Sequence, residues 1–232
     1  MANDLSRRQT LIGLAAVGLV GCTGDVGSPT DSDSDTDVDT DVDTDTDTDV
    51  VDPDCDELTK EQVEGPFYPG EPEVRQDIRE TRNGVRLDLD LQVVAQGSCE
   101  AIAGAEVDVW AADATGAYSG YAEFDSVGES WLRGQQVTGA DGVARFTVVV
   151  PGAYPGRAVH LHVKVRAPGR DELTTQVYLP DAVVERVLDR IEYVNSSAQT
   201  TLPQDDFYEG DTLLEVTLDD EDVIAAQGQL VV

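Results

Sequence analysis

The chain has 232 residues, and 47 acidic residues against 15 basic ones give it a formal net charge of −32 at pH 7. Nucleic acids and anionic lipid surfaces bind to positive patches on a protein, so this charge argues against either as a partner. Three Cys and one Met exclude a zinc-cluster protein and a scaffold held together by many disulfides.

Residues 1–21 have the features of an export signal. Arg7 and Arg8 precede an apolar run, residues 11–20, that is shorter than the roughly 18 residues of a membrane span. The residues that end at Cys22 resemble a bacterial lipobox, whose cysteine is lipidated after cleavage, and the arginine pair resembles the twin-arginine export signal. We therefore predict an exported lipoprotein, attached to the membrane only through lipid on Cys22 and located in the periplasm or at the cell surface. An ordinary secretory signal with an incidental arginine pair is the alternative.

Residues 22–56 are predicted to be a disordered acidic tether. Between residues 31 and 49 every second residue is Asp, and the intervening residues are Ser, Thr or Val. Residues 31–56 hold thirteen Asp and no Lys or Arg, so the segment repels itself and buries too little apolar area to offset the entropy of ordering it. Weak Ca²⁺ binding by the carboxylates is an alternative, although no loop has EF-hand spacing.

Residues 57–232 are predicted to form one all-β domain, a β-sandwich or a barrel of mostly antiparallel strands with one short helix and long loops. Alternating or β-branched runs separated by Gly- and Asp-rich turns indicate the strands. These are predicted over Val85–Val94, Ala105–Trp110, Ala144–Val150, Val159–Val165, Thr174–Leu179 and Leu213–Leu218. The helix is predicted over Pro180–Val194, where apolar residues recur at helical spacing.

Both His residues of the chain, His160 and His162, lie in one predicted strand. Residues i and i+2 of a strand point to the same face, so the two imidazoles project into one space while Val159, Leu161 and Val163 fill the other face. This pattern predicts a metal site. A pair of ordinary surface or core His residues is the alternative.

Two turn-rich loops carry Tyr118 and Tyr154, and the second loop also carries Arg157 just before the His strand. Pro and Gly punctuate this loop, which holds Tyr154 and Arg157 near the start of the strand. Tyr usually packs in a core or at a sheet edge, and periodicity alone does not identify either phenol as a ligand.

From Glu64 to Leu179 the chain resembles the intradiol ring-cleavage dioxygenases of catechol and protocatechuate type, in their exported bacterial branch. The pattern Pro-Gly-x-Tyr-x-Gly-Arg-x-x-His-x-His, over residues 151–162, is the most specific part of the resemblance. The matching stretches are Glu64–Tyr68, Asp77–Arg79, Gly104–Trp110, Gly116–Gly120, Trp131–Gln136, Thr138–Gly142, Pro151–Arg157, His160–His162 and Thr175–Tyr178.

This resemblance implies a prealbumin-like sandwich, a non-haem Fe³⁺ ion, and a catechol-type substrate. O₂ would cleave the substrate ring between its two hydroxylated carbons to give a muconate-type diacid. The implied metal ligands are Tyr118, Tyr154, His160 and His162. Tyr154 would also be the base that deprotonates the catechol, and Arg157 and Gln176 would act in catalysis beside the metal. Phenolate is a hard anionic donor, which favours Fe³⁺ over Fe²⁺ and Zn²⁺.

Cys55 and Cys99 are the two cysteines that lipidation does not use. Because an exported protein meets an oxidising compartment, we predict a Cys55–Cys99 disulfide. Two independent thiols are the alternative.

The alternative function is a non-catalytic prealbumin-like binding module on a surface lipoprotein, since such modules share the fold and its Gly- and Asp-rich turns. They do not require a His-x-His pair preceded by Tyr and Arg, and this favours the enzyme. The residues predict neither the natural catechol nor the oligomeric state.

Overall fold

The computed structural model describes residues 55–68, 70–218 and 223–232, which all belong to one compact unit, Asp49–Val232. The predicted signal (1–21), the lipidation site Cys22 and the predicted tether up to residue 54 lie outside the described residues. In the part of the chain that is described, no helix has the length and apolarity needed to cross a bilayer.

Two four-stranded sheets pack against each other in the described chain. Their strands are β1 (Arg86–Val94), β2 (Glu106–Trp110), β3 (Arg133–Val137), β4 (Val143–Val149), β5 (His160–Arg166), β6 (Leu173–Tyr178), β7 (Glu215–Leu218) and β8 (Ile224–Val231). The first sheet has the order β4-β1-β8-β7 and the second β3-β2-β5-β6. Neighbouring strands are antiparallel except β1 and β8, which are parallel. The predicted β-sandwich of mostly antiparallel strands is confirmed.

Strand alternation explains the core between the sheets. Leu87, Leu89 and Leu91 of β1 are fully buried, and the polar residues between them face away from the core. Val107 on β2 and Leu161 on β5 belong to the same apolar cluster. Burying an apolar side chain of this size stabilises the fold by roughly 1.5–3 kcal/mol, so these rows determine which face of each sheet turns inward.

Helix α1 spans Asp181–Leu188, so the prediction of a helix over Pro180–Val194 is wrong in its length. The chain turns instead into a short 3₁₀ segment, Ile191–Tyr193, in which Ile191 is 78% exposed and Tyr193 only 1%. The Tyr193 hydroxyl accepts a hydrogen bond from one backbone N–H at 3.0 Å and donates one to a backbone carbonyl at 2.8 Å. The local structure here is therefore set by the hydrogen bonds of Tyr193 to distant backbone groups, and not by the helical spacing of apolar residues that includes Ile191.

The outer face of the second sheet, turned away from the core, positions the candidate site. Its cross-strand rows are Arg133–Trp110–His162–Gln176 and His160–Tyr178. These polar side chains are buried because the segment before β1 covers them. Within that segment, the Gln62 N–H donates to the Thr174 carbonyl on β6 (2.8 Å). Buried polar groups need partners inside the protein, and the rows bring such partners together.

A disulfide joins Cys55 to Cys99, with their Cα atoms 5.4 Å apart. The Gly97 N–H also donates to the Cys55 carbonyl at 2.8 Å. Together these bonds tie the start of the described chain to the loop between β1 and β2.

Candidate metal centre

Four side-chain donor atoms meet at the outer face of the second sheet. Tyr118 Oη lies 3.3 Å from Tyr154 Oη, which lies 2.8 Å from His160 Nε2. His160 Nε2 lies in turn 3.2 Å from His162 Nε2. The structure therefore brings together all four residues that the sequence predicted as metal ligands.

The ring of His160 is oriented by its second nitrogen. His160 Nδ1 lies 2.7 Å from the Ala158 carbonyl oxygen, which can only accept, so Nδ1 carries the proton and donates. The Nε2 lone pair then faces the other three donors. A ligand imidazole whose other nitrogen donates to a carbonyl is the usual arrangement in metal sites.

The ring of His162 is held by stacking. Trp110, its neighbour on β2, lies parallel to it, with ring centroids 4.9 Å apart and an interplanar angle of 9°. His162 Nδ1 is buried and has no hydrogen-bond partner among the described residues. Gly65 also lies so close that a Cβ there would be 3.2 Å from His162 Cε1. The stacking on Trp110 and the close approach of Gly65 therefore restrict this imidazole.

The two tyrosines come from loops that are joined to each other. The Asp113 carboxylate organises the Tyr118 loop by accepting from the Thr115 and Ala117 N–H groups (2.8 and 3.2 Å). The Asp113 carbonyl then accepts from the Gly152 N–H in the Tyr154 loop (2.9 Å). These bonds tie the backbones of the two tyrosine loops to each other.

Burial sets the charge of all four groups. It lowers the pKa of His160 to about 4, with the Arg157 cation adding to the effect. It also lowers the pKa of His162 well below its usual range, raises that of Tyr118 well above its own, and raises that of Tyr154. At neutral pH the imidazoles therefore offer lone pairs, whereas a cation that takes the phenols as ligands must displace their protons.

Arg157 and Gln176, predicted as catalytic, lie beside this group. Gln176 is the cross-strand neighbour of His162 and donates through Nε2 to the Val63 carbonyl (2.8 Å). Arg157 Nη2 donates to Gln176 Oε1 and, at 3.2 Å, to the Tyr178 hydroxyl. The predicted pair is therefore linked directly.

Three residues of the site were not predicted from the sequence. Tyr178 is opposite His160 in the strand register, and Trp110 is opposite His162. Finding them would have required the register between paired strands, which is β5 with the next strand β6 for Tyr178 and β2 with the more distant β5 for Trp110. Asp205 accepts from Arg157 and lies in a stretch without a recognisable motif, so no sequence signal pointed to it.

The donor set suits a hard cation. Among the described residues, no group of three or more His, Cys, Asp and Glu side chains could hold a metal ion. The convergent group has only two such residues and adds two phenols, which as phenolates are hard anionic donors. A cavity of about 710 Å³ on the first sheet, lined partly by Asp90, Gln92 and Glu215, includes none of the four donors. The donor cluster, and not this cavity, is the candidate site.

Known proteins are similar to this chain in sequence and in fold. A family model described as "Dioxygenase" matches residues 63–207. Chlorocatechol 1,2-dioxygenase from Cupriavidus pinatubonensis is 30% identical over 139 residues, covering 50% of this chain and 52% of that protein. The chain thus spans about half the length of the curated relatives it matches.

Among solved structures, an intradiol ring-cleavage dioxygenase from Tetranychus urticae superposes with a TM-score of 0.70 at 26% identity, covering 75% of this chain and 94% of that chain. The dioxygenase domain of a dioxygenase–carbohydrate-binding fusion from Streptomyces sp. SirexAA-E gives a TM-score of 0.61 at 29% identity, covering 76% and 98%. The family match covers more than half of the chain and includes the four donors, Arg157 and Gln176. The chain therefore belongs to the intradiol ring-cleavage dioxygenase family.

Proposed function

We propose that this protein is a non-haem Fe³⁺ dioxygenase that cleaves a catechol-type ring between its two hydroxylated carbons. Both atoms of O₂ enter the product, a muconate-type diacid, so catechol and O₂ balance the product without a reductant. The observation that carries the proposal is the convergence of Tyr118, Tyr154, His160 and His162 through adjacent donor atoms 2.8–3.3 Å apart. Relatives named as chlorocatechol 1,2-dioxygenases support the substrate class.

The donor set fits Fe³⁺ by its chemistry. Two phenolates and two neutral imidazoles offset most of the charge of a trivalent ion, and hard oxygen donors favour the ferric state. Bound there, the ion would supply the Lewis acidity that makes a catechol acidic and activates its ring toward O₂.

Tyr154 is the residue best placed to move a proton. It is half-buried, whereas Tyr118 and both His residues are buried. It also lies on the loop 150–158, whose Pro and Gly residues set its path. As a phenolate, Tyr154 Oη would accept a proton from the incoming catechol, which is the role of a general base.

The remaining residues orient the substrate and exclude water. Phe67 stacks on Tyr118 with ring centroids 4.6 Å apart, and Phe124 meets the edge of the Phe67 ring at 5.3 Å. This aromatic wall closes one side of the site. On the other side Arg157 would present a hydrogen-bond donor to the oxygens of the substrate, and Gln176 would hold Arg157 in position.

The experiment that tests the proposal is reconstitution with Fe³⁺ followed by absorption spectroscopy and an O₂ electrode. Tyrosinate ligands should give a burgundy charge-transfer band. Tyr118→Phe and Tyr154→Phe should each weaken or shift that band, whereas the matched control Tyr121→Phe should keep it, because the Tyr121 hydroxyl donates to the Tyr68 carbonyl instead (3.2 Å). Catechol and isotopically labelled O₂ should give a diacid that carries two labelled oxygens.

A colourless protein after reconstitution, or a band that survives the double substitution, would refute the iron site. A coloured protein that binds catechols but consumes no O₂ would favour the alternative, a non-catalytic binding module.

We also propose that the protein is exported and anchored by lipid on Cys22, in the periplasm or at the cell surface. The Cys55–Cys99 disulfide supports an oxidising location. Cys22→Ser should move the protein from the membrane fraction to the soluble fraction and abolish its labelling by palmitate. Replacing Arg7 and Arg8 by Lys should block export by the twin-arginine route, and unchanged export would indicate the general route.

A further inference from the structure

The positive charge of the Arg157 guanidinium is paired with the carboxylate of Asp205. Its Nε lies 3.1 Å from both carboxylate oxygens of Asp205. Its Nη2 is engaged by Gln176 and Tyr178. Only Nη1 has no hydrogen-bond partner among the described residues. Arg157 can thus still donate a hydrogen bond, but its charge is already paired.

Asp205 is built into the fold. Its side chain is 0% exposed. Besides Arg157 it accepts from the Ala158 N–H (2.8 Å) and the Phe207 N–H (2.9 Å). A buried carboxylate that accepts this many hydrogen bonds is held in place. The pair is therefore a fixed feature of the site and does not depend on flexible surface side chains.

The other cations of this face are also engaged. Arg133 donates from all three of its nitrogens to Ser119 and to the Phe67 carbonyl. Lys164 lies between two carboxylates, at 2.7 and 2.9 Å. Arg166 pairs with the buried Asp108 at 2.8 Å. Among the described residues of this face, Lys164 and Arg166 are thus paired with carboxylates, and every side-chain nitrogen of Arg133 is occupied by a neutral acceptor.

An apolar rim adjoins Arg157 and Gln176. Phe207 is 40% exposed, and its ring lies under the guanidinium, with Arg157 Cζ 4.4 Å from the ring centroid. Val63 is 47% exposed, and its carbonyl accepts from Gln176. A substituent on the substrate ring that reaches this rim would meet hydrocarbon and a neutralised ion pair.

We propose that the site selects catechols with neutral ring substituents over catechols that carry a carboxylate, and that Asp205 is the residue that sets this selectivity by compensating Arg157. This inference rests on the proposed function. A carboxylate brought to the rim would lose its hydration without gaining a counter-ion, and it would face Asp205 as a like charge. Selectivity would thus arise from rejection of the anion and not from a special contact with the neutral ring.

The test compares 3,4-dihydroxybenzamide with 3,4-dihydroxybenzoate, which have nearly the same shape and differ in charge. The iron-loaded wild-type protein should prefer the amide in kcat/KM by at least about tenfold. Dissociation constants measured without O₂, from the shift of the tyrosinate band, should show the same preference. Asp205→Asn keeps an oxygen for the two backbone N–H groups but removes the charge, and it should reduce the preference at least about tenfold.

Asp206→Asn is the matched control. Asp206 is the adjacent residue, is exposed and forms neither a hydrogen bond nor an ion pair with Arg157, so this variant removes the same charge without touching the pair. It should keep the wild-type preference. Equal loss of preference in both variants, an unchanged preference in an active Asp205→Asn, or a wild-type preference for the acid would overturn the inference.

The salt dependence of the amide preference in the wild-type protein tests the inference even if Asp205→Asn does not fold or is inactive. In about 1 M salt, where the Debye length falls to about 3 Å, the diffuse acidic surface is screened but a buried pair is not. If the preference for the amide over the acid persists in about 1 M salt, it supports the role of the Arg157–Asp205 pair. If the preference disappears, the inference is overturned. Failure to turn over both of these compounds and also unsubstituted catechol would refute the proposed function itself, whereas turnover of both compounds without discrimination would refute only the selectivity.

Discussion

Replacing Gly65 by alanine perturbs the candidate metal site through a single added carbon. Gly65 has φ = +73°, in the left-handed region, and its added Cβ would lie 3.2 Å from His162 Cε1 and 3.8 Å from His162 Nε2. Gly169 has φ = +72°, and no heavy atom lies within 4 Å of its added Cβ. Gly169→Ala therefore imposes the same backbone strain without the contact, and the pair of variants separates the two effects.

The expected magnitudes follow from these distances. An alanine in the left-handed region costs about 1–2 kcal/mol, so both variants should lose about that much free energy of unfolding and about 2–8 °C in Tm. Ordinary van der Waals contact begins at 3.4 Å, so in Gly65→Ala the imidazole must yield by a few tenths of an ångström. Metal–ligand distances tolerate about 0.2 Å, and disturbed orientation of a ligand typically lowers metal affinity about 10–100-fold.

The assay has two readouts. Denaturant unfolding of the iron-free proteins measures the strain, and competition with a chelator for Fe³⁺ measures the affinity of the site. Gly65→Ala should lose both stability and affinity, whereas Gly169→Ala should lose stability only. If the two variants bound Fe³⁺ equally, the close approach of Gly65 would have no part in holding His162, and the reasoning from packing would be refuted.

Three further substitutions test the framework around the site. Replacing Cys55 and Cys99 by Ser opens a loop of 44 residues. By loop entropy this should lower the free energy of unfolding by about 4 kcal/mol and the Tm measured by calorimetry by about 8–16 °C. A loss of stability below about 1 kcal/mol would contradict this. Arg166→Gln leaves the fully buried Asp108 without its ion pair and should lower the free energy of unfolding by about 3 kcal/mol in a urea titration. Tyr193→Phe removes the hydroxyl that serves two buried backbone groups and should cost about 2 kcal/mol in the same titration; a neutral result would mean that water replaces it.

The strand predicted most accurately from the sequence is one in which apolar residues, which face the core, alternate with polar ones. β1 alternates four apolar residues with polar ones and was found within a residue of its ends. β3 and β8 were missed. Along β3 (RGQQV) the buried residues are Arg133 and Gly134, which are held by tertiary contacts and not by apolar patterning. β8 contains Gly228, whose missing side chain admits Leu214 at 2.8 Å from where a Cβ would lie, and a glycine inside a strand weakens the sequence pattern.

Within the site, sequence and structure differ in what each can show. His160 and His162 share a face by the period of a strand, which is a local rule and needs no partner. Asp205 reaches Arg157 across 48 residues of sequence, and no local rule gives that contact. The motif placed Arg157 just before the His strand, but it did not show that a carboxylate pairs with its charge.

A site with donors on one strand and two loops keeps its shape only if the loops are fixed independently of the ligand. The strand does this for the His pair, but each tyrosine loop alone would be free to move. Gly116 (φ = +86°) lacks the Cβ that would lie 3.0 Å from the Ala153 carbonyl oxygen, so the Tyr118 loop packs directly on the backbone of the Tyr154 loop. The same Ala153 carbonyl accepts from the Ser197 N–H at 2.9 Å, which joins both loops to the segment that carries Asp205. Binding a cation then needs little ordering of the chain, so little affinity is lost to the entropy of arranging the donors.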